Sequence, residues 1–425
     1  MGIISKTILL LTNYANPFEK KVGKFFKSIN DNSPLSTIHK NLGYLIQHDI
    51  VAVNLWSESR YKGYKYLSRP TRKLLYDNTT LLVNDFNKFV NNDNDNNIDN
   101  ITNLIANLGG NTSHLLQYKD NLLYLYQIMR YLSPANKRYV YRESCTFGEL
   151  LKDPVKSQLI GDCNQIVTLY IYLYSLKYDT NDLKIKTLPG HVCLHFKGLD
   201  IEATNGQFAL YDNKDQKILP VQEIVSVNLL DTTDSYFKTH KISPKAFLES
   251  ARLAYLISSE REIVNNNLKA AYNNIVNDLV KKGDYKLALS YAKVSKNNAL
   301  INYVGHNGAL FYLQKNDYSK ALYFANYADK NRELKNNIIY NQGINLYQQN
   351  KYQQAINAFK QINNVDLIKK CYVGLFYKEQ EKLTKLATKQ DIINNKSTIQ
   401  KMNSYAKHSG EKSLIDYTNN LMRYF

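Results

Sequence analysis

The feature that most constrains the fold is a seven-residue pattern that occurs three times in the last third of the 425-residue chain. It reads GDYKLAL from residue 283, NDYSKAL from residue 316 and NKYQQAI from residue 350. The tyrosines are 33 and then 34 residues apart, and the alanines three positions later keep that spacing. A period near 34 residues with helix–turn–helix character predicts stacked helical pairs. The pattern residues are Tyr285, Ala288, Tyr318, Ala321, Tyr352 and Ala355.

This period and its small residues resemble the tetratricopeptide repeat. An alanine where two helices cross lets their backbones approach, and Ala309 and Gly343 fill the matching small position on the preceding helices. The resemblance implies a helical solenoid over residues 266–390, followed by a capping helix or tail over residues 391–425. Stacked repeats form a concave surface, so we expect this part of the chain to bind a protein or peptide.

Three chemically active residues lie close together earlier in the chain. Cys163 follows a Gly-Asp turn and precedes an apolar helical stretch, so we expect it at a helix N-terminus, where a thiolate is stabilised. His191 follows a Pro-Gly turn and opens a predicted strand, and Glu202 lies on the strand across the next hairpin. A thiolate, an imidazole and a carboxylate are the groups that cysteine-based acyl transfer requires.

The order of these motifs is similar to that of the transglutaminase-like cysteine peptidase superfamily, in particular its bacterial members that carry tetratricopeptide repeats behind the catalytic domain. The motifs are GDC, an apolar helix, LPGH before a strand, and LDIEATNG. The resemblance implies a papain-like α+β core over residues 136–235, with Cys163 as nucleophile, His191 as base and Glu202 as the acidic residue. Glu202 stands where the family commonly has Asp, and Cys193 stands where an aromatic residue usually follows the histidine.

Several alternatives remain open at this site. Asp200 has the same strand parity as Glu202 and is a second candidate for orienting His191, while His195 is an alternate imidazole. Gln158 precedes Cys163 by five residues and resembles the glutamine that stabilises the oxyanion in papain-like enzymes. A rival hypothesis places zinc on the strand face that His191 and His195 share with Cys193. We expect no metal or other cofactor, because no further ligand motif accompanies that array.

The other regions of the chain differ in residue composition and in the spacing of their apolar residues. Residues 1–135 read as an N-terminal helical region, with a polar surface loop over residues 91–103. The 136–235 region combines a helix after Cys163 with short strands at 183–188, 191–196, 199–203 and 208–211. A linking helix over residues 236–265 starts at Ser243-Pro244. The predicted fold class is multidomain α+β: a helical region, a papain-like or transglutaminase-like domain, and an all-α C-terminal solenoid.

The formal net charge of +18 is unevenly distributed. Residues 261–425 contain 25 Lys and Arg against 12 Asp and Glu, a net of +13, whereas the first 260 residues carry +5. This asymmetry favours an acidic partner for the repeats, although no specific nucleic-acid motif occurs. The four cysteines are dispersed, and no apolar run approaches the length of a membrane span, so we expect a cytoplasmic protein.

Two functional hypotheses from different classes follow from these residues. The first is a thiol-dependent acyl-transfer enzyme, an amide or isopeptide hydrolase rather than a transglutaminase, that acts on a protein or peptide recruited by the repeats. The alternative is a catalytically inactive transglutaminase-like domain in a repeat scaffold that binds an acidic protein or peptide.

Overall fold

A computed structural model of the chain describes residues 13–93, 96–231, 242–383 and 386–425. The fold in these ranges is mixed α+β, with a small antiparallel sheet and many helices towards the C-terminus. The predicted α+β class is therefore confirmed at this level. The chain divides into two compact units, which we call unit 1 (Met1–Asn274) and unit 2 (Ile275–Phe425).

Helices form the first part of unit 1. They are α1 (Pro17–Ser28), α2 (Leu35–Ser57), α3 (Arg69–Asn91), α4 (Ile98–Asn107) and α5 (Lys119–Leu132). Proline in the first turn and a side-chain cap, from Asn16 and Ser68 respectively, start α1 and α3. The backbone of α2 kinks at Asp49, and the helix is then buried from Ile50 to its end.

A five-stranded antiparallel sheet follows in unit 1. The elements are β1 (Tyr139–Tyr141), α6 (Phe147–Leu150), β2 (Leu159–Gly161), α7 (Cys163–Ser175), β3 (Lys184–Leu188), β4 (His191–Phe196), β5 (Leu199–Glu202), β6 (Gln207–Ala209), β7 (Lys217–Pro220), α8 (Glu223–Leu230) and α9 (Pro244–Ile257). Strands β1 and β2 form a separate parallel pair, while the sheet has the order β6-β5-β4-β3-β7. Lys186 is paired with Cys193, and His195 with Asp200, so these four residues share one face of the sheet.

The core of unit 1 surrounds α7, which is buried along most of its length. It packs against β4 on one side and against α2 and α5 on others. A helix without a polar face needs cover on every side. This explains why the N-terminal helices, predicted as a region of their own over residues 1–135, lie in the same compact unit as the sheet. Helix α9, part of the predicted linking helix, also belongs to unit 1 and packs on α8.

The described part of unit 2 consists of helices, most of which pack on the preceding helix. Helix α10 (Arg261–Lys281) crosses the boundary between the units. It is followed by α11 (Tyr285–Val294), α12 (Asn298–Gln314), α13 (Tyr318–Ala325), α14 (Asn331–Gln348), α15 (Tyr352–Gln361), α16 (Val365–Gln380), α17 (Lys389–Asn394), α18 (Lys396–Ser409) and α19 (Lys412–Met422). Helix α16 packs on α18 across the short α17. Each tyrosine of the repeated pattern is the first residue of a helix, and each of its alanines is fully buried.

Glycines set the distance between neighbouring helices in unit 2. A Cβ atom added at Gly308 would lie 2.8 Å from the ring of Phe324, and one added at Gly343 would lie 2.7 Å from Cζ of Phe359. Both phenylalanine rings are buried, so neighbouring atoms prevent them from moving away from an added methyl group. Glycines of unit 2 therefore occupy places where neighbouring helices approach closely.

Two local expectations were wrong. The polar run predicted as a surface loop over residues 91–103 contains the start of α4, because Asn97 caps the helix and Ile101 and Ile105 bury one apolar stripe. The predicted strand over residues 208–211 ends at Ala209, which leaves Tyr211 outside the sheet. Strands β1, β2 and β7 were not predicted, because each has only three or four residues.

No helix in the part of the chain that the structure describes is long and apolar enough to cross a membrane.

Candidate active site

Cys163 is the first residue of α7, and its side chain is partly exposed. The Asp162 carboxylate accepts a hydrogen bond from the Gln165 N–H (3.4 Å), and the Gln165 side chain accepts one from the Asp162 N–H (3.1 Å). This reciprocal cap fixes the turn that presents the sulfur. The first N–H groups of a helix have no acceptors within it, so the positive end of the helix lies at the thiol.

Cys163 is the accessible cysteine of the four, since Cys145, Cys193 and Cys371 are buried. Burial raises the pKa of the Cys145 thiol and raises that of Cys371 to about 11. Burial likewise raises the pKa of Cys193. Burial makes these three thiols poor nucleophiles, which leaves Cys163 as the candidate nucleophile.

His191 opens β4 directly after the turn at Gly190, whose φ of 70° lies in the left-handed region. Its Nε2 lies 2.7 Å from Oε2 of Glu202. The neighbouring Cys163 side chain, and then the bond with Glu202, raise the pKa of His191 to about 10, although burial opposes the shift. Because Nε2 is engaged by Glu202, Nδ1 is the nitrogen available to the sulfur.

Glu202 is the last residue of β5 and is buried. Its Oε2 accepts hydrogen bonds from His191 and from the Tyr211 hydroxyl (2.8 Å), while its Oε1 accepts from the backbone N–H (3.1 Å) and the hydroxyl of Thr204. Burial disfavours the charged form, but the bonds from His191, Thr204 and Tyr211 outweigh it and lower the pKa of Glu202. Glu202 is therefore an ionised carboxylate with both oxygens occupied, which suits it to orient an imidazole.

The alternates Asp200 and His195 are engaged elsewhere. Nδ1 of His195 lies 2.7 Å from Oδ1 of Asp200, and Nζ of Lys186 lies 2.6 Å from Oδ2. Burial opposes the ionised form of Asp200, but the bonds from His195 and Lys186 outweigh it and lower its pKa. The structure thus forms a buried cluster of Lys186, Asp200 and His195 beside the site, and Asp200 does not orient His191.

The oxyanion role predicted for Gln158 is also not supported. Its side-chain amide donates a hydrogen bond to the Lys137 carbonyl (2.7 Å), and the residue is exposed. Its position just before β2 directs it to the β1–β2 edge rather than to the thiol. The first N–H groups of α7 lie at Cys163 and have no acceptors within the helix.

The zinc hypothesis for His191, Cys193 and His195 likewise finds no support. Within the described residues there is no group of three or more His, Cys, Asp or Glu side chains that could hold a metal ion. Cys193 is fully buried, and both ring nitrogens of His195 have partners, Asp200 and the Gly198 N–H (3.2 Å). The shared strand parity was therefore a poor indicator, because each histidine pairs with its own carboxylate.

A buried polar network lies behind the first turn of α7. The Asn164 amide donates to Asn228 (2.9 Å) and to Asp231 (3.1 Å), and the Gln165 amide donates to the same Asp231 oxygen (3.2 Å). Burial, and then the charge of Asp231, raise the pKa of Asp162 to about 8. Sequence reasoning missed this network, although the Asp-x-x-Gln spacing at residues 162–165 is a capping-box signal. No comparable signal points to Tyr211.

Comparison with models of known protein families and with curated proteins finds no match for this chain.

Proposed function

We propose that the chain is a thiol-dependent acyl-transfer enzyme that cleaves an amide or isopeptide bond, and that residues 136–235 form a transglutaminase-like cysteine peptidase domain. The observation that carries the proposal is the hydrogen bond of His191 to Glu202, together with the neighbouring Cys163 side chain that raises the pKa of His191. The three residues come from three different elements, the start of α7, the start of β4 and the end of β5.

The reaction begins from a thiolate and an imidazolium. The raised pKa of His191 keeps the ring protonated near neutral pH, and its Nε2–H donates to Glu202. The Cys163 sulfur attacks the carbonyl carbon of the substrate, a C–S bond forms, and the carbonyl electron pair moves to oxygen. The N–H groups at the start of α7 stabilise this oxyanion. The proton on Nδ1 of His191 passes to the leaving amine as the C–N bond breaks, which leaves a thioester.

Water then resolves the thioester. His191, now neutral, takes a proton from the attacking water, and the acid is released as the C–S bond breaks and the thiolate–imidazolium pair returns. Hydrolysis needs only water as the acceptor. Transglutamination would also require a bound amine, so hydrolysis is the simpler reaction for this site.

The order and setting of the residues support the family assignment. Cysteine, histidine and acid follow one another along the chain, with the cysteine on a helix that packs against an antiparallel sheet. Glu202 departs from the more common Asp, yet it makes the bond to His191 that the role requires.

The repeats are the proposed site of substrate recruitment. The C-terminal residues 261–425 carry a net charge of +13, and several tyrosines of unit 2 are more than 40% exposed: Tyr303, Tyr323, Tyr340 and Tyr377. Tetratricopeptide-like repeats would combine these features on a surface suited to an acidic polypeptide.

Thiol reactivity tests the catalytic part of the proposal. Iodoacetamide labelling of Cys163, followed by peptide mass spectrometry from pH 4 to 9, is to be compared in wild type, His191→Ala and Glu202→Gln. We expect fast labelling at pH 5–6, where an ordinary thiol of pKa about 8.5 is almost fully protonated. His191→Ala should abolish this fast labelling, and Glu202→Gln should reduce it. Cys163→Ser provides the blank.

An ordinary thiol profile in wild type, unchanged by His191→Ala, would refute the enzyme hypothesis. The alternative, an inactive domain in a repeat scaffold that binds an acidic partner, would then account for the chain. A reactive thiolate would justify a search of amide and isopeptide substrates, in which Cys163→Ala must lose all turnover.

A further inference from the structure

Tyr211 makes three hydrogen bonds that join the candidate site to the buried cluster beside it. Its hydroxyl donates to Oε2 of Glu202 (2.8 Å), the same oxygen that His191 contacts. Its backbone N–H donates to Oδ2 of Asp200 (2.8 Å), and its carbonyl accepts from Nζ of Lys186 (2.9 Å). The residue lies beyond the end of β6, so these contacts, and not sheet pairing, determine its position.

The cluster that binds the Tyr211 backbone, Lys186 with Asp200 and His195, is held by hydrogen bonds of its own. Nε2 of His195 accepts a hydrogen bond from the Gly198 N–H, so its proton lies on Nδ1 and donates to Asp200. Lys186 with Asp200 forms a buried ion pair. All three side chains are buried. A buried pair with its remaining sites hydrogen-bonded has little freedom to rearrange, which makes it a rigid support.

Glu202 needs such support more than an aspartate would. Its side chain has one more rotatable bond, so a single bond to His191 leaves the plane of the carboxylate poorly determined. Thr204 donates to Oε1, and Tyr211 donates to Oε2, the oxygen that His191 also contacts. Burial and the bond to Glu202 raise the pKa of Tyr211, so its hydroxyl stays protonated and acts as a donor.

We propose that Tyr211 is a positioning residue of the site, which keeps Glu202 ionised and oriented towards His191 while the Lys186–Asp200–His195 cluster holds Tyr211 in place. Its role in catalysis rests on the proposed function, but its control of Glu202 does not. A donor to a carboxylate stabilises the charged form, and its loss therefore raises the carboxyl pKa.

The test is a pH titration of Glu202 in the full-length chain labelled with ¹³C at glutamate carboxyl carbons, with the resonance assigned by its absence in Glu202→Gln. Tyr211→Phe removes only the hydroxyl. We expect the Glu202 pKa to rise by roughly one unit, the size that follows from the loss of one hydrogen bond to a charged group. Labelling of Cys163 by iodoacetamide at pH 5 should also slow in this variant.

Tyr44→Phe is the matched control, because Tyr44 is an exposed tyrosine of unit 1 whose ring lies 3.9 Å from that of His48. It should leave the titration of Glu202 and the labelling rate unchanged. Equal thermal unfolding midpoints, followed through the fluorescence of Trp56, would show that both variants fold.

Superimposable Glu202 titrations in wild type and Tyr211→Phe would overturn the inference. That result is distinct from failure of the proposed function, which would appear as an ordinary thiol profile in the wild-type protein. A shifted Glu202 titration together with an ordinary thiol would establish that Tyr211 controls the carboxylate in a site that is not catalytic.

Discussion

Unit 1 and unit 2 bury different kinds of side chain. Unit 1 encloses charged residues, among them the Arg72–Glu19 pair, Lys186 with Asp200, and Glu202. In the described part of unit 2 the buried polar residues are all neutral: Asn395, Asn403, Ser409 and Thr418. The charges of that unit, which are mostly positive, remain at its surface.

The difference reflects what each unit has to hold in place. In unit 2 most helices pack on helices adjacent or nearly adjacent in the chain, and small residues lie where they approach closely. In unit 1 the buried charges join elements that are far apart in sequence, such as α1 with α3. Burying a charge costs free energy unless the charge is fully paired. Buried charges therefore favour the one arrangement in which every partner is in place, and destabilise alternative arrangements. A reactive site requires such fixed geometry, whereas a stack of repeats does not.

The largest expected effect that tests this contrast is the loss of a buried charge partner. Arg72 is fully buried, donates to Glu19 (2.7 Å) and also to the Leu67 carbonyl (2.6 Å). Arg72→Met leaves Glu19 buried without its cation. We expect unit 1 to lose about 3–5 kcal/mol of unfolding free energy. Urea unfolding followed through the fluorescence of the single tryptophan, Trp56, measures it, because that residue is buried in unit 1.

The counterpart in unit 2 is the exposed pair of Lys320 with Asp317. Lys320→Ala should leave hydrogen-exchange protection in α13 unchanged, because solvent screens such a pair. A loss of stability in Lys320→Ala as large as that in Arg72→Met would contradict the proposed distinction between the units.

The pH dependence of stability should also differ between the units. Burial raises the pKa of Glu58 to about 7 from its ordinary 4.5, although Lys62 and the N–H groups of Phe147 and Gly148 oppose the shift. Native unit 1 therefore keeps a proton that the unfolded chain releases, so its stability falls as pH rises from about 4.5 to 7. The pKa of Asp162, raised to about 8, extends this loss of stability to higher pH. The pKa of His191, raised to about 10, adds a further loss of stability as pH rises above 6.5.

We expect Glu58 alone to account for a loss of roughly 2–3 kcal/mol in unit 1 between pH 5 and 8.5. Unfolding monitored through Trp56 at both pH values gives the total loss, and Glu58→Gln should reduce it by that amount. Hydrogen exchange over residues 285–361 of unit 2, corrected for its intrinsic rate, should stay constant. A stability of unit 1 that rises over this range would contradict the assignment of protonated buried carboxyls.

A smaller effect should follow from crowding a helix crossing in unit 2. In Gly343→Ala the new methyl meets the ring of the buried Phe359. Overpacking of about 1–3 kcal/mol, offset by up to about 1 kcal/mol of helix propensity, gives a net loss near 1–2 kcal/mol. Hydrogen exchange should accelerate in α14 and α15 while the Trp56 transition stays in place. The exposed Asn341→Ala on the same helix serves as the control, and equal effects of the two variants would argue against close packing at Gly343.

The repeats were predictable because their signal is local. One small residue at a fixed spacing marks each helix crossing, and the three alanines are indeed buried. The polar run at the start of α4 was wrongly predicted as a loop, because its composition is polar. The helical signal in this run comes from only two buried isoleucines, four residues apart. Very short strands such as β7 leave no period long enough to read.

The candidate site was predictable only in part. Chain order and strand parity led to Cys163, His191 and Glu202, which the structure brings together. Parity could not distinguish Glu202 from Asp200, because both side chains point to the same face of the sheet. The carboxylate that orients His191 is determined by the register of the β4–β5 hairpin, which pairs Asp200 with His195.

The sequence by itself determined the period of the repeated pattern, the helix that begins at Cys163, and the types of residue that cysteine chemistry uses. These properties are encoded in spacings of a few residues, which backbone geometry converts directly into faces and helix ends. Only the tertiary structure decided that the N-terminal helices enclose α7, that Asp200 serves His195, and that Tyr211 supports Glu202. Each of these contacts joins side chains whose meeting depends on how whole elements pack, and no local spacing encodes that outcome.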